Sequence, residues 1–289
     1  MSSCSLLVGQ YNLLCPAYGV KWGEREACLE WRSKEDHGPS NWSARWPALR
    51  RVLSLCKFDI VCLQELEAST AADVTAALAD QGLDLVWFNH PGRADGIGVA
   101  FNTETFTLSQ SVLGSFPSAN PTVGTARLDL KHTAAGVGVR VLSTHQRGGN
   151  REQLADLFTF AKADMREGPG IVVVCGDFNE DFASWEAPGA LRPEPLAGFA
   201  TLDRREPEPL VSRPPHKLDP ALNSSGRGKV DYIFVAPHDA PAAHADIKLE
   251  RSQEALRALW ASHAACEETG EWPSDHGMEA LAIHVTLPH

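Results

Sequence analysis

Residues 171–179, IVVVCGDFN, constrain the fold of this chain more than any other stretch. Four consecutive β-branched aliphatic residues and a cysteine form an apolar run, which predicts a strand that is buried on both faces and stopped by Gly176. Asp177 and Asn179 follow two residues apart, and side chains at alternating positions point the same way. A carboxylate and an amide oxygen are hard ligands of the kind that Mg²⁺ prefers. The run therefore predicts a buried strand that leads into a polar site.

Strands alternate with helices along the rest of the chain. Hydrophobic spacing predicts further strands at residues 5–11, 58–64, 83–88, 97–101, 125–130, 137–143, 230–235 and 278–285, and helices at 41–56, 73–81, 151–166 and 252–265. Residues 187–228 are rich in proline, glycine and arginine and predict a long loop. No internal repeat or linker divides the sequence. The alternation favours an α/β fold, and we expect a single domain over residues 1–289.

The composition is that of an ordinary globular protein. Apolar residues make up 43% of the chain and charged residues 22%, which permits a sizeable core. The seven cysteines lack the paired spacing of a zinc site, and Cys56, Cys62 and Cys175 stand inside apolar runs. We therefore expect reduced core thiols in a reducing compartment, the cytoplasm or the interior of an organelle.

The charge and the N-terminal sequence restrict the partners. The first residues, MSSCSLLVGQYN, lack a basic region, and no apolar stretch approaches the roughly 20 residues that span a bilayer, so we expect no signal peptide and no membrane partner. The formal net charge of -11 repels polyanions. A nucleic-acid substrate therefore requires local arginines and a bound metal ion, whereas a small phosphorylated substrate is compatible with the acidity.

Polar residues recur where the predicted strands begin or end. Taken singly, each has an ordinary structural explanation, such as a turn residue, a helix cap or a hydrogen-bonded core histidine. Taken together they require six independent coincidences, so we expect them to converge on one site at an edge of the sheets. The residues are Asn12, Glu65, His145, the pair Asp177 and Asn179, Asp231, and the pair Asp275 and His276.

Several short motifs occur in a specific order. They are YNLL at residues 11–14, RWPALRRVL at 45–53, DIVCLQELE at 59–67, STH at 143–145, CGDFN at 175–179, VDYIF at 230–234 and PSDH at 273–276. In this order they resemble the endonuclease/exonuclease/phosphatase superfamily, and within it the poly(A) deadenylase group with nocturnin and the Angel proteins. The resemblance implies a deoxyribonuclease I-like fold, a four-layer α/β/β/α sandwich in which two mixed β-sheets pack face to face.

The resemblance also implies a role for each polar residue. Glu65, Asn12 and Asp275 would bind Mg²⁺, for which Mn²⁺ can substitute. Asp177 and Asn179 would orient or deprotonate the attacking water and could hold a second metal ion. The remaining roles are a hydrogen bond from His145 to the scissile phosphate, an Asp231–His276 pair in which the histidine is either general base or phosphate clamp, and substrate binding by Arg147, Asn150 and Arg151.

The implied activity is that of a Mg²⁺-dependent phosphoesterase. The leading substrate is RNA, cut by a monomeric 3′–5′ exoribonuclease in deadenylase fashion. The alternative is a phosphatase of a small nucleotide resembling NADPH, or of a terminal or 2′,3′-cyclic phosphate of RNA, which the acidic composition favours. The stretch ADGIGVAFN at residues 94–102 matches the family's substrate-side strand only loosely. A binding scaffold without activity is disfavoured because every expected catalytic residue type is present.

Overall fold

Eleven strands within the described residues form two mixed β-sheets. The computed structural model describes residues 2–18, 41–54, 57–114, 124–146, 151–163, 170–180, 182, 199–200, 231–237, 246–250 and 278–287. The six-stranded sheet contains β1 (Ser2–Asn12), β2 (Ile60–Glu67), β3 (Leu83–Asn89), β4 (Asp95–Asn102), β10 (Asp246–Glu250) and β11 (Glu279–Leu287), in the order β10-β11-β1-β2-β4-β3. The five-stranded sheet contains β5 (Phe106–Gly114), β6 (Thr125–His132), β7 (Gly138–His145), β8 (Gly170–Asp177) and β9 (Asp231–Pro237), in that order. In each sheet one neighbouring pair is parallel, β1 with β2 and β7 with β8, and the other pairs are antiparallel.

The β8 strand shows how the sequence builds the layers. Its residues Ile171, Val173 and Cys175 point into the core between the two sheets, while Val172 and Val174 point to the opposite face, where a helix covers them. All five side chains are completely buried. Each buried aliphatic side chain contributes about 1.5–3 kcal/mol. The prediction of a strand buried on both faces is confirmed.

Helices cover the outer face of each sheet. They are α1 (Trp42–Ser54), α2 (Ala71–Ala79) and α3 (Arg151–Lys162). Leu49 and Val52 of α1 and Val74 of α2 pack on the six-stranded sheet, and Leu157 and Phe158 of α3 pack on the five-stranded sheet. The result is the predicted four-layer α/β/β/α sandwich. No helix among the described residues is long and apolar enough to cross a membrane.

Two strands were not predicted, and both lie at sheet edges. β5 and β10 are largely exposed on one side, so their sequences lack the continuous apolar run that marks a central strand. The predicted helix at residues 252–265 lies outside the described residues. So does the predicted loop at 187–228, apart from residues 199–200, where Ala200 pairs with Val235.

Gly176 does not stop β8 as predicted, because the strand continues to Asp177. A Cβ atom at position 176 would lie 2.0 Å from the carbonyl oxygen of Thr144 on β7. The glycine therefore permits a close approach of β7 and β8 at their C-terminal ends. His145 and Asp177 are register partners at that point, so the glycine brings two of the predicted site residues together.

We expect Gly176→Ala to lower the free energy of unfolding by about 3 kcal/mol, because the clash is with backbone and the two strands must separate. Urea unfolding followed by circular dichroism measures the loss. Gly136→Ala is the control: Gly136 has a φ of 69° with open space around it, so only the left-handed conformation is penalised, by about 1 kcal/mol. Equal losses in the two variants would contradict the close-approach argument.

Candidate metal centre

Four strands end or bend at one edge of the sandwich and bring together Asn12, Glu65, His145 and Asp177. Asn12 and Glu65 come from the six-stranded sheet, and His145 and Asp177 from the five-stranded sheet. One ligand atom each of Glu65, His145 and Asp177 lies within 4.8 Å of the others. The predicted convergence is therefore found for these residues.

A β-bulge aims Glu65 into the site. Glu65 has a φ of 56°, and the pairing of β2 with β4 shifts register between Gln64 and Leu66. In a regular strand consecutive side chains point to opposite faces, whereas here Gln64 and Glu65 both reach towards the five-stranded sheet. Glu65 is not at the predicted strand end, because β2 continues to Glu67, and the bulge turns the Glu65 side chain into the site.

The Asn12 side chain lies between the two carboxylates. Its Oδ1 accepts the backbone N–H of Leu14 at 2.9 Å, which identifies the oxygen end of the amide. Its Nδ2 donates to Glu65 Oε1 at 3.0 Å and to Asp177 Oδ2 at 3.2 Å. His145 Nε2 approaches the same two oxygens at 3.9 Å and 3.7 Å.

These contacts fit a cation. The side chains of Glu65 and Asp177 are buried. Glu65 Oε1 and Asp177 Oδ2 point towards the same space, where N–H groups of Asn12 and His145 approach both oxygens. Buried carboxylates that face one point are stabilised by positive charge at that point. Carboxylate oxygens with an imidazole nearby are a donor set suited to a divalent ion.

A buried arginine stabilises the backbone segment that donates a hydrogen bond to the carboxylate of Glu65. Arg45 of α1 donates to the carbonyl oxygens of Leu13 and Leu14 at 3.0 Å and 2.7 Å. These bonds hold the turn from which the N–H of Cys15 donates to Glu65 Oε2 at 2.9 Å. Burial lowers the pKa of Arg45 to about 10, so the guanidinium stays charged at neutral pH. Arg45 opens the motif at residues 45–53, for which no role in the site was predicted.

His145 has an acidic neighbour that was not predicted, Asp95. The Oδ2 atom of Asp95 lies 3.8 Å from His145 Nδ1, an ion-pair distance, and Asp95 also accepts hydrogen bonds from Tyr18 and Arg93. Burial opposes ionisation of Asp95, but hydrogen bonds and the nearby cations hold its pKa below the usual range. Burial also opposes protonation of His145, but the surrounding carboxylates raise its pKa above the ordinary value.

The sequence contains a signal for Asp95. It opens the buried strand DGIGVAFN, just as Asp231 opens DYIFVAP. This stretch matches the family pattern only loosely, so Asp95 is absent from the predicted site.

Asp231 lies deeper between the two sheets than Asp177. It is the register partner of Asp177 at the ends of β8 and β9, is fully buried, and accepts a hydrogen bond from Gln10 Nε2 at 3.0 Å. Asn179 lies past the end of β8 with a φ of 49°, so the alternation of the strand does not extend to it. Its backbone N–H donates to Asp177 Oδ1, and its Nδ2 donates to the carbonyl of Gln146.

Four of the predicted site residues lie outside the described part of the chain: Arg147, Asn150, Asp275 and His276. Arg151 begins α3, which gives its backbone position at the start of that helix.

The family follows from the sequence and agrees with this geometry. A model of the Endonuclease/Exonuclease/phosphatase family matches residues 9–276, nearly the whole chain. The chain belongs to this family. Members of the endonuclease/exonuclease/phosphatase family are hydrolytic phosphoesterases and nucleases that generally use a divalent metal ion, so the chain is a hydrolase and the predicted family is confirmed.

Several solved structures share the fold at low sequence identity. ANGEL2, a 2′,3′-cyclic phosphatase that has also been solved with adenosine-2′,3′-vanadate, is 17% identical with a TM-score of 0.67, covering 98% of this chain and 95% of ANGEL2. The human Nocturnin catalytic domain with bound sulfate is 18% identical with a TM-score of 0.58, covering 98% and 94%. D. rerio TDP2 with a single-strand DNA product is 17% identical with a TM-score of 0.57, covering 99% of each chain. Among curated proteins, none matches the sequence significantly.

Next to the site, His90 makes the fold sensitive to acid. Its Nδ1 accepts the N–H of Gly124 at 3.0 Å, and burial lowers the pKa of the imidazole to about 4. In the unfolded chain the pKa is about 6.5, so between these values the unfolded state binds a proton that the folded state does not. Stability from this residue is therefore complete above about pH 6.5 and is lost as the pH falls towards 4.

We expect His90→Gln, which keeps an acceptor for Gly124 but does not titrate, to reduce this acid sensitivity. Between about pH 7.5 and pH 5, the wild type should lose about 2 kcal/mol more unfolding free energy than the variant. Urea unfolding at both pH values measures the difference. Parallel losses in the two proteins would show that His90 is not the group responsible.

Proposed function

We propose that this hydrolase is a divalent-cation-dependent phosphoesterase that acts at the 3′ end of RNA and removes nucleotides in the 3′–5′ direction. The reaction class is supported by two buried oxygens, Glu65 Oε1 and Asp177 Oδ2. Both are approached by the side-chain nitrogens of Asn12 and His145. Phosphoester cleavage builds negative charge on oxygen atoms, so it needs positive charge fixed at such a point. The RNA substrate rests on the resemblance to the deadenylase group.

Glu65 would be the main protein ligand of Mg²⁺, with Mn²⁺ as a substitute. One strong acidic ligand suffices, because magnesium retains several waters and takes only one or two carboxylates. Asn12 would stand beside it and bind through Oδ1 after its amide has turned over, because in this structure Nδ2 is the end that donates to the two carboxylates. When bound, the cation supplies positive charge to the phosphoryl oxygens.

The chain's own residues then position the water and the phosphate. Asp177 Oδ2 lies across the site from Glu65, where it orients the attacking water, while Asp177 Oδ1 is fixed by the N–H of Asn179. His145 donates its Nε2 hydrogen to a phosphoryl oxygen, and its raised pKa keeps that proton in place. Asp95 stays ionised behind the imidazole and stabilises its charged form.

The other site residues keep their proposed roles. Asp231 would accept a hydrogen bond from His276 and so set its tautomer, and Asp275 would complete the metal shell. Arg147, Asn150 and Arg151 would bind the substrate backbone. We further propose that residues 1–289 form one catalytic domain that acts as a monomer.

A second candidate substrate is a terminal or 2′,3′-cyclic phosphate of RNA, or a small phosphorylated nucleotide. The net charge of -11 favours it, because a small anion needs fewer cationic contacts than a polyanion. ANGEL2, which has the same fold, is described as a 2′,3′-cyclic phosphatase.

We expect Glu65→Gln to reduce kcat at least about a hundredfold and to weaken Mn²⁺ binding, because the charge is lost while the shape is kept. Titration calorimetry with Mn²⁺ measures binding, and circular dichroism checks the fold. Glu104→Gln, in an exposed turn between β4 and β5, is the matched control and should retain both properties. Full metal-dependent activity in Glu65→Gln would refute the ligand assignment.

We expect incubation with Mg²⁺ to distinguish the substrates. Poly(A), mixed-sequence RNA, RNA ending in a 2′,3′-cyclic phosphate and NADPH are tested in parallel, with EDTA as the negative control and added Mn²⁺ as rescue. Progressive shortening of RNA supports the exoribonuclease. Phosphate release or ring opening without shortening supports the second candidate, and turnover that persists in EDTA contradicts both.

A further inference from the structure

A layer of buried amide groups lies directly beneath the metal centre and connects the two sheets. Gln10 Nε2 donates to Gln64 Oε1 at 2.5 Å and to Asp231 Oδ1 at 3.0 Å. Gln64 Nε2 donates to Ser143 Oγ at 3.0 Å, and Ser143 Oγ donates to the carbonyl of Leu63 at 3.3 Å. The four polar side chains are completely buried.

Gln10 repeats, one layer deeper, the arrangement of Asn12. Both lie on the face of β1 that points between the sheets, following Leu6 and Val8 at alternating positions. Each donates from one amide nitrogen to β2 and to an acid of the five-stranded sheet: Asn12 to Glu65 and Asp177, Gln10 to Gln64 and Asp231. The face of β1 therefore changes from apolar to amide where it reaches the acids.

The two acids that receive these bonds face each other across neighbouring strands. Asp177 and Asp231 are register partners on β8 and β9, and both are buried. An arginine at position 10 would neutralise Asp231, whereas the Gln10 amide donates a hydrogen bond without adding charge. Holding Oδ1 fixes the plane of the Asp231 carboxylate, and with it the direction in which Oδ2 is presented.

We propose that Gln10 is a positioning residue for Asp231, fixing the orientation of the carboxylate while leaving its full negative charge available to the active site. The proposal rests on the proposed function through the role of Asp231. It goes further by assigning the orientation of that acid to an amide on the opposite sheet. A purely structural role, in which Gln10 only fastens the sheets, predicts a loss of stability and no separate loss of turnover.

The test compares Gln10→Met, which keeps the volume and removes the donor, with Ser143→Ala, which breaks the same buried network two residues further from Asp231. Both should lower Tm by similar amounts. Gln10→Met should also lower kcat about tenfold to a hundredfold with KM nearly unchanged, as residues that orient an active-site group do. An equal kcat in the two variants would overturn the proposal.

A double-mutant cycle with Asp231→Asn locates the effect. If Gln10 acts through Asp231, adding Gln10→Met to Asp231→Asn should change kcat less than about twofold, because groups that act as one unit are not additive. Fully multiplicative losses would overturn the proposal.

Crystal structures of wild type and Gln10→Met test the positioning without any assay. A rotated Asp231 carboxylate supports it and an unchanged one overturns it, even if the wild type hydrolyses none of the tested phosphoesters. Failure of the proposed function and failure of this inference are thereby distinguished.

Discussion

The bulge at Glu65 is the constraint on which the site depends. A regular β2 would send Gln64 and Glu65 to opposite faces, one towards the five-stranded sheet and one towards the helices α1 and α2. The left-handed conformation at Glu65 places both between the sheets, so that one joins the amide layer and the other the candidate metal centre. This conformation costs a non-glycine residue about 1 kcal/mol, a cost offset by the N–H of Cys15 and the amide of Asn12.

Neutral donors contact each of the inward-facing acids Glu65, Asp177 and Asp231. Asp177 and Asp231 receive side-chain amides from β1, and Glu65 receives both an amide and a backbone N–H. Such donors satisfy the oxygens and leave most of the negative charge in place, as a cation site requires. Asp95 differs, because Arg93 pairs with it, and it stabilises a positive charge on His145 instead.

The sequence was sufficient for the parts that depend on local pattern. Asn12, His145 and Asp177 were found because each ends a run with clear strand periodicity, and the family motifs fixed the sandwich. Alternation could not reveal the bulge, which depends on pairing between β2 and β4. Gln10 and Arg45 were missed for a related reason, since each acts on a segment distant in the chain. β5 and β10 lack a local signature because these two strands bury little of their surface.

The origin of the site residues in both sheets has a consequence for how the protein is made. Asn12 and Asp177 touch although 165 positions separate them, and Gln10 and Asp231 are 221 positions apart. Contacts of such long range form only after the entropy of closing a large loop has been overcome, which places them late in folding. While the chain is still being synthesised, β1 and β2 can pair without β8 and β9, and the amide N–H groups of Gln10 and Asn12 then lack Asp231 and Asp177 as acceptors. A hydrolase built this way assembles its candidate metal centre only when the second sheet has been completed and has docked on the first.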